Sequence, residues 1–92
     1  MILKYPLTTE KAIRLVEAEN KIVFVVAKEA SAQQIKRDFE KEFNVKVDKV
    51  NTLRRGAEKI AYIKLSKENP ALDVATRLGL IYPTAFSYKL FG

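Results

Sequence analysis

Asn51, Thr52, Arg54 and Arg55 stand within one seven-residue stretch, VNTLRRG (50–56), which ends on the first of only three glycines. Two short side chains that both donate and accept hydrogen bonds precede two planar guanidinium forks, whose geometry matches phosphate. The chemistry this set suits is backbone recognition of a nucleic acid, in which cations neutralise phosphates while Asn and Thr bond sugar and phosphate oxygens. A solvated turn is the other reading, with Asn and Thr bonding their own backbone. A small acylphosphatase-like enzyme is a third, using Asn51 and Arg54 beside an oxyanion cradle. Only Gly56, Gly79 and Gly92 exist, however, so neither common glycine-rich phosphate loop is present. His and Cys are both absent, which removes the commonest general base and most metal sites. No catalytic residue, metal or cofactor is expected.

Charge strengthens the nucleic-acid reading. The 92 residues carry a net charge of +6. Between positions 46 and 64, six cations (Lys46, Lys49, Arg54, Arg55, Lys59 and Lys64) face only Asp48 and Glu58. Two thirds of the excess therefore lies around VNTLRRG, and a concentrated basic patch suits a polyanionic partner. Elsewhere charges alternate in sign, as on an ordinary solvated face. Chain length implies one domain, and 48% apolar residues imply a folded one. Without a membrane span, a signal-peptide pattern or cysteine, the expectation is a soluble intracellular protein.

The elements that must position these residues follow from periodicity and punctuation. Ile2 to Lys4 reads as a short strand closed by Tyr5-Pro6. Thr8 or Thr9 offers a helix cap with Glu10 in the first turn, an apolar stripe of Ala12, Ile13, Val16 and Leu15 follows, and Asn20 stops the helix. KIVFVVAK (21–28) is apolar on both faces and predicts a central strand covered on two sides. Ser31 and Gln34 form a capping box ahead of Ile35, Phe39 and Phe43, and Asn44 supplies a left-handed cap. Val45 to Leu53 and Lys59 to Leu65 predict an antiparallel hairpin joined at RRGAE, with Gly56 in the turn. The parity break between Val47 and Val50 predicts a bulge near Asp48 or Lys49. Asn69-Pro70 reads as a cap and first helical position, with Gly79 as terminator. The order is β-α-β-α-β-β-α, an α+β fold (an α/β sandwich) with a four-stranded antiparallel sheet covered by helices.

Base stacking on exposed sheet aromatics, as in RNA-recognition motifs, finds little support: Phe24 reads as buried, and Tyr62 alone is a credible exposed sheet aromatic. The segments YPLTTEKA (5–12), QIKRDFEKEFNVKV (34–47), VNTLRRG (50–56) and EKIAYIKL (58–65), in this order, resemble the ribosomal protein L23 (uL23) family. The resemblance runs in register from about Ile2 to Leu80, and ALDVATRLGL resembles the archaeal and eukaryotic branch. It implies an L23-like rRNA-binding domain over 1–80 and an aromatic extension over 81–92. It also implies a structural, cytoplasmic role in the large ribosomal subunit. There, members bind the third domain of the large rRNA beside the tunnel exit, among neighbouring large-subunit proteins and the docking platform for the signal recognition particle and other exit-site factors. No membrane insertion is implied.

Carried onto this chain, the resemblance puts Asn51, Thr52 and Lys59 on RNA with Lys11 and Lys36. The charge cluster adds Lys49, Arg54, Arg55 and Lys64. Glu10, in the motif Thr9-Glu10-Lys11, becomes a candidate protein-docking residue; its alternative is an unpartnered anion at a helix N-terminus. Bacterial relatives extend the hairpin into a long loop that lines the tunnel, whereas Leu53 to Glu58 here is a short turn. A free-standing RNA-binding regulator of similar shape is the competing function. Tyr82, Phe86, Tyr88 and Phe91 either pack on RNA or a neighbouring protein, fold back over the sheet, or fray.

Overall fold

Two asparagines end two helices by the same device. Asn20 and Asn44 adopt left-handed conformations, at φ 56° and 54°. Asn tolerates this region better than branched or bulky residues, and adopting it turns the chain out of the helix. In the computed structural model, which describes residues 2–78, they follow α1 (Glu10–Glu19) and α2 (Ala32–Phe43). Thr9 is the first cap, its hydroxyl accepting from the Ala12 amide at 3.2 Å. The capping box of α2 is complete: Ser31 Oγ accepts from the Gln34 amide and Gln34 Oε1 accepts from the Ser31 amide.

The remaining elements are β1 (Leu3–Pro6), β2 (Lys21–Val26), β3 (Val47–Arg55), β4 (Glu58–Leu65) and α3 (Ala71–Arg77). The strands form one antiparallel sheet in the order β1-β2-β4-β3. Strand β2 is therefore interior, and Ile22 to Val26 are all buried, as its two-faced apolar run requires. Pro6 is tolerated because β1 is an edge strand, where a missing amide leaves no ladder bond unmade.

On one face, here called the helix face, Phe24 meets Phe39 edge to face, with ring centroids 5.6 Å apart. Ile35 and Phe39 of α2 and Val74 and Ala75 of α3 complete that core, which Val16 of α1 also joins. On the other face Ala12 packs with Val23 and Ile60, and Leu15 and Tyr62 lie against them. Fully burying an aliphatic or phenyl side chain contributes roughly 1.5–3 kcal/mol, so this two-sided layer carries most of the stability of so small a chain.

Four expectations change. Strand β1 runs Leu3–Pro6, so Tyr5 and Pro6 belong to it and do not close it. The hairpin strands run Val47–Arg55 and Glu58–Leu65, so RRGAE is not a loop. Gly56 and Ala57 alone make the turn, with Gly56 at φ 61°, the left-handed region that a two-residue hairpin demands at that position. The strand also begins after Val45, because the left-handed Asn44 first redirects the chain. Finally, Asn69 does not cap α3. Its Oδ1 accepts from the Lys46 amide at 2.7 Å and the Ser66 hydroxyl at 3.2 Å, while Pro70 takes the cap position without a side-chain bond. The bulge lies where parity places it, as a register shift between Val47 and Lys49. Gly79 and the segment 81–92, with Tyr82, Phe86, Tyr88 and Phe91, lie outside the described residues.

Candidate nucleic-acid interface

Because Arg54 and Arg55 are strand residues, the period of two sends their side chains to opposite faces of the sheet. Register fixes which. Thr52 pairs with Ala61 and Arg54 with Lys59, on the helix face. Lys49 pairs with Lys64, Asn51 with Tyr62, Leu53 with Ile60 and Arg55 with Glu58, on the opposite one. The candidate set is thus split. Lys49, Asn51, Arg55 and Lys64 share the second face, and Thr52, Arg54 and Lys59 share the first. Lys36 is exposed on α2, and Lys11 is exposed near the start of α1.

Neither helix layer reaches the end of β3. Every residue from Asn51 to Arg55 is exposed, and Leu53 is 52% exposed although apolar. Among the described residues the ion pairs are Arg14–Glu10 and Lys21–Glu19, so Lys49, Arg54, Arg55 and Lys64 have no carboxylate partner. Glu58 stands opposite Arg55, but its Oε2 accepts a 2.8 Å bond from the Tyr5 hydroxyl. That bond, with lesser help from burial and the carboxylate charge, raises the Tyr5 pKa above the usual phenol value. Lys59 has a structural use as well, donating from Nζ to the Ala30 carbonyl at 2.7 Å and so tying β4 to the turn before α2.

One more cation joins the patch that sequence inspection does not single out. Lys21 pairs with Lys64, which pairs with Lys49, so three lysines stand side by side across β2, β4 and β3. Directly opposed like charges destabilise a sheet; Glu19, 3.0 Å away, already relieves Lys21, and salt or a polyanion relieves Lys49 and Lys64. Beside this row, α1 and the open sheet face enclose a groove of about 450 Å³. Val23, Leu15 and Tyr62 form its floor and walls, and Lys11, Leu53 and Arg55 stand at its rim. Only pairing register could reveal either feature, since Lys49 lies 15 residues from Lys64 and 28 from Lys21 along the chain. At the exposed start of α1, Glu10 accepts from Arg14 at 2.9 Å, an ordinary i,i+4 pair in water.

Comparison with known proteins decides the family. A family model described as ribosomal protein L23 matches residues 1–72, from before β1 to the start of α3. The chain belongs to the ribosomal protein L23 family. A curated relative, large ribosomal subunit protein uL23 of Pyrobaculum aerophilum, is 49% identical over 82 residues, covering 87% of this chain and 100% of the relative. The L23 match spans all four of the segments YPLTTEKA, QIKRDFEKEFNVKV, VNTLRRG and EKIAYIKL, and both exposed faces of β3 lie inside it.

Proposed function

We propose that the chain is a structural constituent of the large ribosomal subunit that holds large-subunit rRNA through the β3–β4 hairpin. The family is structural rather than enzymatic, and its members work in the cytoplasmic ribosome among rRNA and other ribosomal proteins. One observation carries the choice of surface: the bare end of β3 presents cations on both faces with no carboxylate partner among the described residues. A strand tip charged on both sides is suited to enter between phosphate backbones, with Lys49, Asn51, Arg55 and Lys64 facing one and Thr52, Arg54 and Lys59 the other. Lys11 and Lys36 extend these two surfaces. With a turn of two residues, the tip meets RNA at the body of the protein and does not line the tunnel. Glu10, exposed at the start of α1, is the proposed contact for the signal recognition particle or another exit-site factor.

Co-sedimentation tests the function and footprinting the surface. The chain is expected in stoichiometric amounts with large subunits, protecting nucleotides of the third rRNA domain near the tunnel exit. A free-standing regulator would instead remain in the supernatant. Arg54→Ala with Arg55→Ala should lower the salt slope of RNA binding by about 0.7–0.9 for each phosphate no longer neutralised. Its melting temperature should barely change, because exposed substitutions usually stay within about 0.5 kcal/mol. Collapse of the fold with an unaltered salt slope would show the arginines to be structural.

A further inference from the structure

We infer that the groove between α1 and the open sheet face holds one unpaired nucleotide of RNA, its base against Tyr62 and Leu53 and its phosphates on Lys11 and Arg55. The inference rests on the RNA-binding reading and adds to it a mode that phosphate neutralisation alone does not provide. The groove, about 450 Å³, is within the roughly 300–1,000 Å³ typical of small-ligand sites. Its composition divides in two: an apolar floor of Val23, Leu15 and Tyr62, and a rim whose charged members, Lys11 and Arg55, are both cationic. A nucleotide divides the same way, into a flat apolar base and an anionic backbone.

The neighbouring residues fit that division. Asn51 pairs with Tyr62 in register and lies on the same face, so an amide able to donate and accept stands beside the ring. From Lys49 to Arg55 the strand runs six residues, on the order of 20 Å at about 3.4 Å each. Cations thus stand at both ends of that strip, with Asn51 and Leu53 between them. A neutral, partly aromatic middle flanked by cations is how single-stranded nucleic acid is gripped without sequence readout. A duplex cannot use a recess of this kind, because its bases remain stacked within the helix. The side chain of Leu53 also gains an explanation, since an exposed leucine contributes little to folding.

The test uses the full chain with a transcript of the third domain of large-subunit rRNA, comparing Tyr62→Phe, Tyr62→Leu and Leu53→Ser. Tyr62→Phe keeps the ring and should bind like the wild type. Tyr62→Leu and Leu53→Ser should each weaken binding by about tenfold, as removal of base stacking does. Their salt slopes should not change, because no cation has been removed. Thermal melting separates a folding defect from a binding one for Tyr62→Leu, and Leu53→Ser, on an exposed side chain, is the independent check. 2-Aminopurine placed at protected unpaired positions should be quenched by wild-type protein at one of them and not by Tyr62→Leu. If the wild type binds while Tyr62→Leu and Leu53→Ser match it within twofold, the groove is empty and the inference is overturned. If the wild type itself fails to bind rRNA, the broader reading falls and takes the inference with it.

Discussion

Replacing Lys49, Arg55 and Lys64 together by glutamine should lower affinity for large-subunit rRNA by about two orders of magnitude at about 0.1 M salt. Each neutralised phosphate contributes about 0.7–0.9 to the salt slope, and 0.1 M lies one decade below the 1 M reference. Three such phosphates therefore account for roughly 2–3 decades, and the slope should fall by a matching 2–3. Stability should hold or rise slightly, since the substitutions remove the opposition of Lys49 and Lys64 across β3 and β4. A matched control removes the same charge elsewhere, through glutamine at the exposed Lys28, Lys41 and Lys67. At 0.1 M salt, charges more than about 10 Å from a phosphate are largely screened, so the control should cost far less. Equal effects in the two triple variants would mean that binding follows net charge, and the hairpin would have no special standing.

Asn20→Ala should cost about 3 kcal/mol and lower the melting temperature by about 15 °C. Three effects combine at this residue. Its left-handed backbone, φ 56° and ψ 39°, is costly by roughly 1–2 kcal/mol for a residue with Cβ and no compensating side chain. Its Nδ2 donates to the carbonyls of Leu65 and Ser66 at 3.1 Å and of Asn69 at 3.3 Å. Its Oδ1 accepts from the Ala71 amide at 2.6 Å. One amide thereby joins the end of α1, the end of β4 and the first turn of α3. Removing it leaves partly buried polar groups without partners, at about 1–3 kcal/mol. A domain of this size loses about 4–8 °C per kcal/mol. Asn20→Gly separates the effects, because it relieves the backbone cost and leaves the hydrogen bonds unmade; it should recover about 1 kcal/mol. A melting temperature within a few degrees of wild type for Asn20→Ala would show that these bonds are replaced by water at no net cost.

The split of the arginines follows from the sheet and has a consequence for binding. A loop could turn both guanidinium groups toward one phosphate, whereas a strand holds them about a sheet's thickness apart. Arg54 and Arg55 should therefore contribute independently, with nearly additive effects, as residues without shared partners do. The same geometry explains why so short a hairpin can offer two surfaces.

The features legible in the residues were local or periodic. Thr9, Ser31 with Gln34, Asn20 and Asn44 announce helix ends because caps act over three or four residues. A continuous apolar run on both faces distinguishes the buried β2 from the hairpin, and the parity break after Val47 marks the bulge. The concentration of charge between 46 and 64 is equally plain without coordinates. Packing and pairing settled the rest. Asn69 was drawn from its expected cap by the Lys46 amide, 23 residues away, and Asn20 gained partners 45 to 51 residues away. The turn closed at Gly56-Ala57, which made Arg54 and Arg55 strand residues on opposite faces. The lysine row and the Tyr62 groove exist only once β2, β4 and β3 lie in register. Capping and periodicity are energies of neighbouring residues, but which distant side chains share a face depends on strand register, and a shift of one residue would reverse every assignment.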